Sequence, residues 1–99
     1  MQKQTQFKLG HLFVTRLVFD HMAEDEGFRK HVFSSLERYE SGDWGKMCDE
    51  DRAQNDAAVN GREDRILGNY EDGEHPEWRI WIITEWDHSA TTILFPGEY

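Results

Sequence analysis

The sequence predicts an α+β fold: an N-terminal strand, two to three helices, then a three-stranded antiparallel meander with the helices packed on one face. Two observations carry most of this. Residues 78–84 (WRIWIIT) and 91–96 (TTILFP) are rich in β-branched and aromatic side chains, and the polar link 85–90 between them makes an antiparallel hairpin. Phe28, Val32, Leu36 and Tyr39 recur at i, i+4, i+8 and i+11, the stripe of a helix over about 27–39.

In chain order, residues 7–15 read as a short strand with Leu12 and Val14 on one face and His11, Phe13 and Thr15 on the other. The following run, 16–22, either prolongs that strand or begins a helix, since short apolar runs do not separate the two. Glu24, Asp25 and Glu26 then sit at the positive end of the striped helix. Ser41 and Gly42 end it, and Asp43-Trp44-Gly45 makes a turn whose indole plugs the core. A second helix runs from the acids Asp49, Glu50 and Asp51 to Val59, stopped by Asn60-Gly61. Its apolar face is mostly alanine, and Asn55 and Asp56 in its middle compete for backbone groups, which points them at a neighbouring turn. Residues 65–70 form the next strand, and 71–76 an acidic, mobile link placing Pro76 ahead of the sheet core. Within 78–84 alternation puts apolar groups on both faces, Trp78, Ile80 and Ile82 against Trp81 and Ile83, which suits an inner strand.

Ninety-nine residues with four Trp, six Phe and three Tyr make one domain, 1–99, whose core depends on its aromatics. No apolar run approaches the roughly 20 residues of a membrane span, and no signal-like segment follows the first charge, so a cytoplasmic location is expected. The single Cys48 excludes an internal disulfide and any cysteine cage for zinc. Eleven Lys and Arg against twenty Asp and Glu give a net charge of −9, of which residues 51–99 carry −7 (4 basic, 11 acidic). Such a surface repels a phosphate backbone and attracts a basic protein groove.

Spacings for catalysis are absent. His11, His21, His31, His75 and His88 form no metal-ligand pair at helical spacing, although Glu85, Asp87 and His88 crowd the hairpin loop. No nucleophile elbow or phosphate-binding glycine pattern occurs. Acid pairs such as Asp43 with Asp49, or Asp51 with Asp56, would serve as general acid and base if the fold brought them together. No cofactor or metal is expected.

The joint pattern Ser41-Gly42-Asp43-Trp44-Gly45, Asp51, Asn55-Asp56, Arg65-Ile66-Leu67, Tyr70, Trp81-Ile82-Ile83-Thr84-Glu85, Thr91-Thr92-Ile93-Leu94-Phe95-Pro96 and Glu98-Tyr99 resembles a family of small bacterial proteins, labelled hypothetical or plasmid-related, of plasmids, phages and other mobile elements. The likeness covers about residues 41–99. Family members tend to have Asp-Arg-Ser where this chain has Asp87-His88-Ser89. The resemblance implies a protein that meets host defence or plasmid-maintenance machinery, and it draws attention to Asp43, Trp44, Asp51, Asn55, Asp56, Glu85 and Asp87.

The leading expectation is a non-enzymatic, acidic interaction protein that offers carboxylates to a basic partner, such as a host nucleic-acid-binding complex, in place of DNA phosphates. Asp43, Trp44, Asp49, Glu50, Asp51, Asn55, Asp56, Glu85 and Asp87 are its candidate contact residues. The alternative is a small enzyme or metal-dependent hydrolase using acids of 43–56 and of the 85–88 loop; it requires Asp43, Asp51, Asp56 and Glu85 around one concavity. A third reading, a sheet-mediated homodimer, requires Trp81 or Trp86 on a flat apolar patch.

Overall fold

The computed structural model describes residues 7–61 and 64–99. Among these residues the fold is α+β, with three α-helices and one four-stranded sheet: β1 (His11–Val14), α1 (Arg16–Glu24), α2 (Glu26–Glu40), α3 (Asp49–Val59), β2 (Ile66–Asp72), β3 (His75–Thr84) and β4 (Ala90–Leu94), closed by a 3-10 turn, Pro96–Glu98. The sheet order is β1-β4-β3-β2.

The last three strands form the expected meander, with Ile83 opposite both Leu67 and Thr92, and Trp81 opposite both Asn69 and Leu94. The expectation of three strands is corrected to four in a mixed sheet, because β1 joins β4 in parallel, His11 beside Ala90 and Val14 beside Ile93. A parallel neighbour needs a long connection, and here that connection is nearly the whole protein. Gly10 admits the junction: at φ +67° it lies against the Ser89 carbonyl, and a Cβ there would sit 2.3 Å from that oxygen.

The ambiguous run after β1 is helical. Thr15 caps α1 by accepting from the Val18 N–H, and Asp25 ends α1 and caps α2 by accepting from the Phe28 N–H. α2 presents Phe28, Val32, Ser35 and Tyr39 to the sheet, where they meet Val18, Ile66, Tyr70, Trp78, Ile80, Ile82 and Ile93. β3 is accordingly an inner strand. α1 and α2 cover one face of the sheet, whereas α3 packs beside β2.

The segment 71–76 is not a mobile link, as the sequence suggested. β2 continues to Asp72, whose carboxylate accepts from the Glu74 and His75 N–H groups to close a tight turn. Pro76 lies inside β3. Between the pairs Tyr70–Ile80 and Asp72–His75 the ladder shifts, leaving residues 76–79 opposite Glu71 alone, and this bulge accommodates a residue without an N–H.

A relay of buried hydroxyls ties the layers together. Thr91 donates to the Leu9 carbonyl at 2.7 Å, and Thr84 stands 2.7 Å from Thr91 and 2.7 Å from Tyr39. Tyr39 shares its proton between Thr84 and the Ile66 carbonyl oxygen at 3.2 Å. One proton per hydroxyl then runs Tyr39 to Thr84 to Thr91 to Leu9, and no oxygen of this relay goes without a partner. Burial pushes the Tyr39 phenol far above its ordinary pKa, so it remains a donor at every accessible pH.

Candidate interaction surface

Four of the candidate residues, Asp43, Trp44, Asn55 and Asp56, meet around the outer edge of β2, and each has a structural task there. The Asn55 side chain lies against Leu67: its Oδ1 accepts from the Leu67 N–H at 3.2 Å and its Nδ2 donates to the Leu67 carbonyl at 2.8 Å. One amide thereby takes the place of a neighbouring strand. Two residues further on, the Asn69 N–H donates to the Trp44 carbonyl, and the Asn69 carbonyl accepts from the Lys46 N–H at 2.8 Å. Gly45 makes this approach feasible, since at φ +78° its missing Cβ would fall 2.0 Å from the Asn69 oxygen.

The turn itself is fastened from several sides. Arg38 grips Asp43 with two hydrogen bonds, 2.7 and 3.2 Å, and Asp43 Oδ1 accepts from the Gly45 N–H at 3.1 Å. The bond from Arg38 holds the Asp43 carboxyl below its usual range. Tyr70 donates to the Asp43 carbonyl, and the Trp44 indole donates to Asp56 at 3.0 Å while its ring, 4% exposed, plugs the core. The expected partner-contact role of Trp44 and Asn55 is corrected on this ground: both are buried, and their polar atoms are engaged within the chain. Asn55 and Asp56 do face a neighbouring turn, with a strand edge beside it.

The carboxylates have a different distribution. Of twenty, only Glu63 lies outside the described residues, and none of the other nineteen is buried. Ion pairs to Lys or Arg engage Asp20, Glu26, Asp43, Asp49 and Glu71, whereas exposed Glu24, Glu50, Asp51, Glu74, Glu77 and Glu85 pair with no described cation. Asp49, Glu50 and Asp51 occupy the first turn of α3, where the helix dipole favours their charge. In the β3–β4 loop Asp87 accepts from the Ser89 N–H at 3.0 Å, and the Ser89 hydroxyl and amide hold its carboxyl below the ordinary range. His88 adopts the left-handed conformation (φ 57°) that lets its N–H close the turn on the Glu85 carbonyl.

No protein-family model, curated protein or solved structure matches the chain. Its chemistry therefore rests on its own geometry. The four acids required for the enzymatic reading do not surround one concavity. Asp51 borders a groove with Met47, Asn55 and Leu67, Asp56 another with Ser41, Trp44 and Asn60, and Glu85 a third with Ile83, Leu94 and Tyr99. Among the described residues no three His, Cys, Asp or Glu gather as a metal-binding group, so Glu85, Asp87 and His88 do not form one. No described helix is long and apolar enough to cross a membrane.

The indoles proposed for a flat patch are dispersed. Trp86 is exposed on the β3–β4 loop, while Trp81 is half-buried on the sheet face opposite α1 and α2, with Tyr99 edge-on at 5.6 Å. The surface that sequence reasoning passed over is β1, where Leu12 is 47% and Phe13 54% exposed. A signal was present: 11–15 contains no Lys, Arg, Asp or Glu, although the rest of the surface is crowded with charge.

Proposed function

We propose that the protein acts without catalysis, as an acidic module whose outward carboxylates engage a basic protein, and that this partner belongs to a host nucleic-acid-handling complex which the module occupies in place of nucleic acid. The observation that carries the reading is the surface position of all nineteen described acids, with Glu24, Glu50, Asp51, Glu74, Glu77 and Glu85 exposed and paired with no described Lys or Arg. Carboxylates left unpaired in water keep their full charge for a partner, and such attraction steers encounter at long range. The contact set is now Asp49, Glu50, Asp51, Glu85 and Asp87, joined by Glu74 and Glu77. Asp43 and Asp56 serve the turn instead. The likeness to mobile-element proteins favours a host partner and a cytoplasmic setting.

The test is affinity capture from bacterial lysate at low and high salt, with duplex DNA added as a competitor. The expected result is a basic nucleic-acid-binding protein retained at low salt, released by salt and by DNA. Recovery of the protein alone, or capture indifferent to both salt and DNA, contradicts the reading.

A further inference from the structure

We infer that β1 is a docking edge for a second copy of this chain, which pairs antiparallel with it about a twofold axis at Phe13. In β1, His11 and Thr15 turn their N–H groups to β4, donating to the Ser89 and Ile93 carbonyls at 3.0 and 3.1 Å. Strand alternation then points the N–H and C=O of Leu12 and Val14 away from β4, where among the described residues no strand follows. These four groups are self-complementary. With Phe13 opposite Phe13 of the second copy, Leu12 of each chain exchanges both backbone bonds with Val14 of the other, and all four groups are satisfied at once.

The side chains fit the same pairing. Leu12 and Val14 share the face of Thr91 and Ile93, whereas Phe13 shares the helix-free face with Thr92. Apolar groups would therefore be covered on both sides of the new ladder. Phe13, already 54% exposed, would meet its own copy at the close separation of a non-hydrogen-bonded pair. Apart from its short length of four residues, β1 carries none of the features that ordinarily protect an edge, having no Lys, no Pro, no bulge and no inward charge.

Charge selects this site for self-association in a chain of −9. Residues 1–19 contain no Asp or Glu and three of the eleven Lys and Arg, so the remaining eighty carry 8 − 20 = −12. The first acid, Asp20, is held by Arg16 at 3.0 Å. Two copies approaching through β1 meet on a strand that carries no carboxylate of its own, with Asp87 and Glu98 at its two ends. A four-residue ladder is a small interface, so the dimer should form with a dissociation constant on the order of 10 µM.

Sedimentation equilibrium of the full chain tests this. The expected result is a reversible shift from 11.7 kDa towards twice that mass with rising concentration, strengthened by salt because the copies repel each other. Leu12→Pro removes an outward N–H that makes no bond among the described residues, and it should weaken the dimer at least tenfold while leaving the circular dichroism spectrum unchanged. Should that variant fail to fold, Phe13→Cys in a Cys48→Ser background provides the second test, forming an intermolecular disulfide on oxidation. A monomer at every concentration, whether another chain's strand or residues 1–6 occupy the edge, overturns the inference, as does a dimer indifferent to Leu12→Pro and unlinked by Phe13→Cys. Strengthening by salt separates this contact from the acidic one, which salt weakens, so either proposal can fail alone.

Discussion

The two outer strands of the sheet solve the same problem in opposite ways. At β2 the outward groups of Leu67 and Asn69 are all engaged, by the Asn55 amide and by the backbone of Trp44 and Lys46. At β1 the corresponding groups of Leu12 and Val14 face outward with no described strand beyond them. Part of the chain is thus spent closing one edge, and among the described residues the other is left open beside exposed Leu12 and Phe13. An open strand edge is a template for another strand, and it is on this edge, uncovered among the described residues, that the proposed self-association rests.

The largest effect should come from reopening the closed edge. Asn55→Ala strips both partners from a backbone N–H and C=O at the wall of the core and is expected to cost about 3 kcal/mol in urea unfolding. Gly45→Ala should cost about 2 kcal/mol, through its left-handed φ and the collision with the Asn69 carbonyl. A loss below about 0.5 kcal/mol in both would show that the edge does not depend on these contacts.

Asp43→Ala loosens the same edge from outside. Because that side chain is half exposed, the expected cost is only about 1 kcal/mol. Its carboxyl titrates below the unfolded range when folded, so the contribution is fully present above an ordinary aspartate pKa and disappears as the pH falls through the folded value. Asp43→Asn should therefore flatten the acid limb of stability against pH, and an unchanged limb would assign the turn to other bonds. The smallest effect on stability belongs to the open edge: Phe13→Lys should change unfolding free energy in dilute protein by less than about 0.5 kcal/mol while abolishing association. A large loss would mean that Phe13 already packs within the chain.

Much of the frame was legible because it is written locally. The 28, 32, 36, 39 stripe gives α2, alternation gives the two-faced inner strand β3, and the acids and Asn60-Gly61 bracket α3. What escaped depends on contacts distant in sequence. Nothing around His11 announces that β1 will lie parallel to β4 some eighty residues away. Pro76 seemed to forbid a strand because the bulge opposite Glu71 was invisible. Asn55 looked like a poor helix former facing a turn and a candidate partner contact, and only the position of Leu67 reveals its task. For the same reason Asp43, Trp44, Asn55 and Asp56, taken as contact residues, have structural tasks within the chain. The carboxylates were easier, since burying an unpaired charge is so unfavourable that their place at the surface follows from their number.

Backbone amide hydrogen exchange at both edges, followed over a range of protein concentrations, addresses the contrast most directly. Leu67 and Asn69 should be protected at every concentration, whereas Leu12 and Val14 should exchange freely in dilute protein and gain protection as it is concentrated. Equal protection of all four amides in dilute protein, or rapid exchange at Leu67 and Asn69, would contradict it.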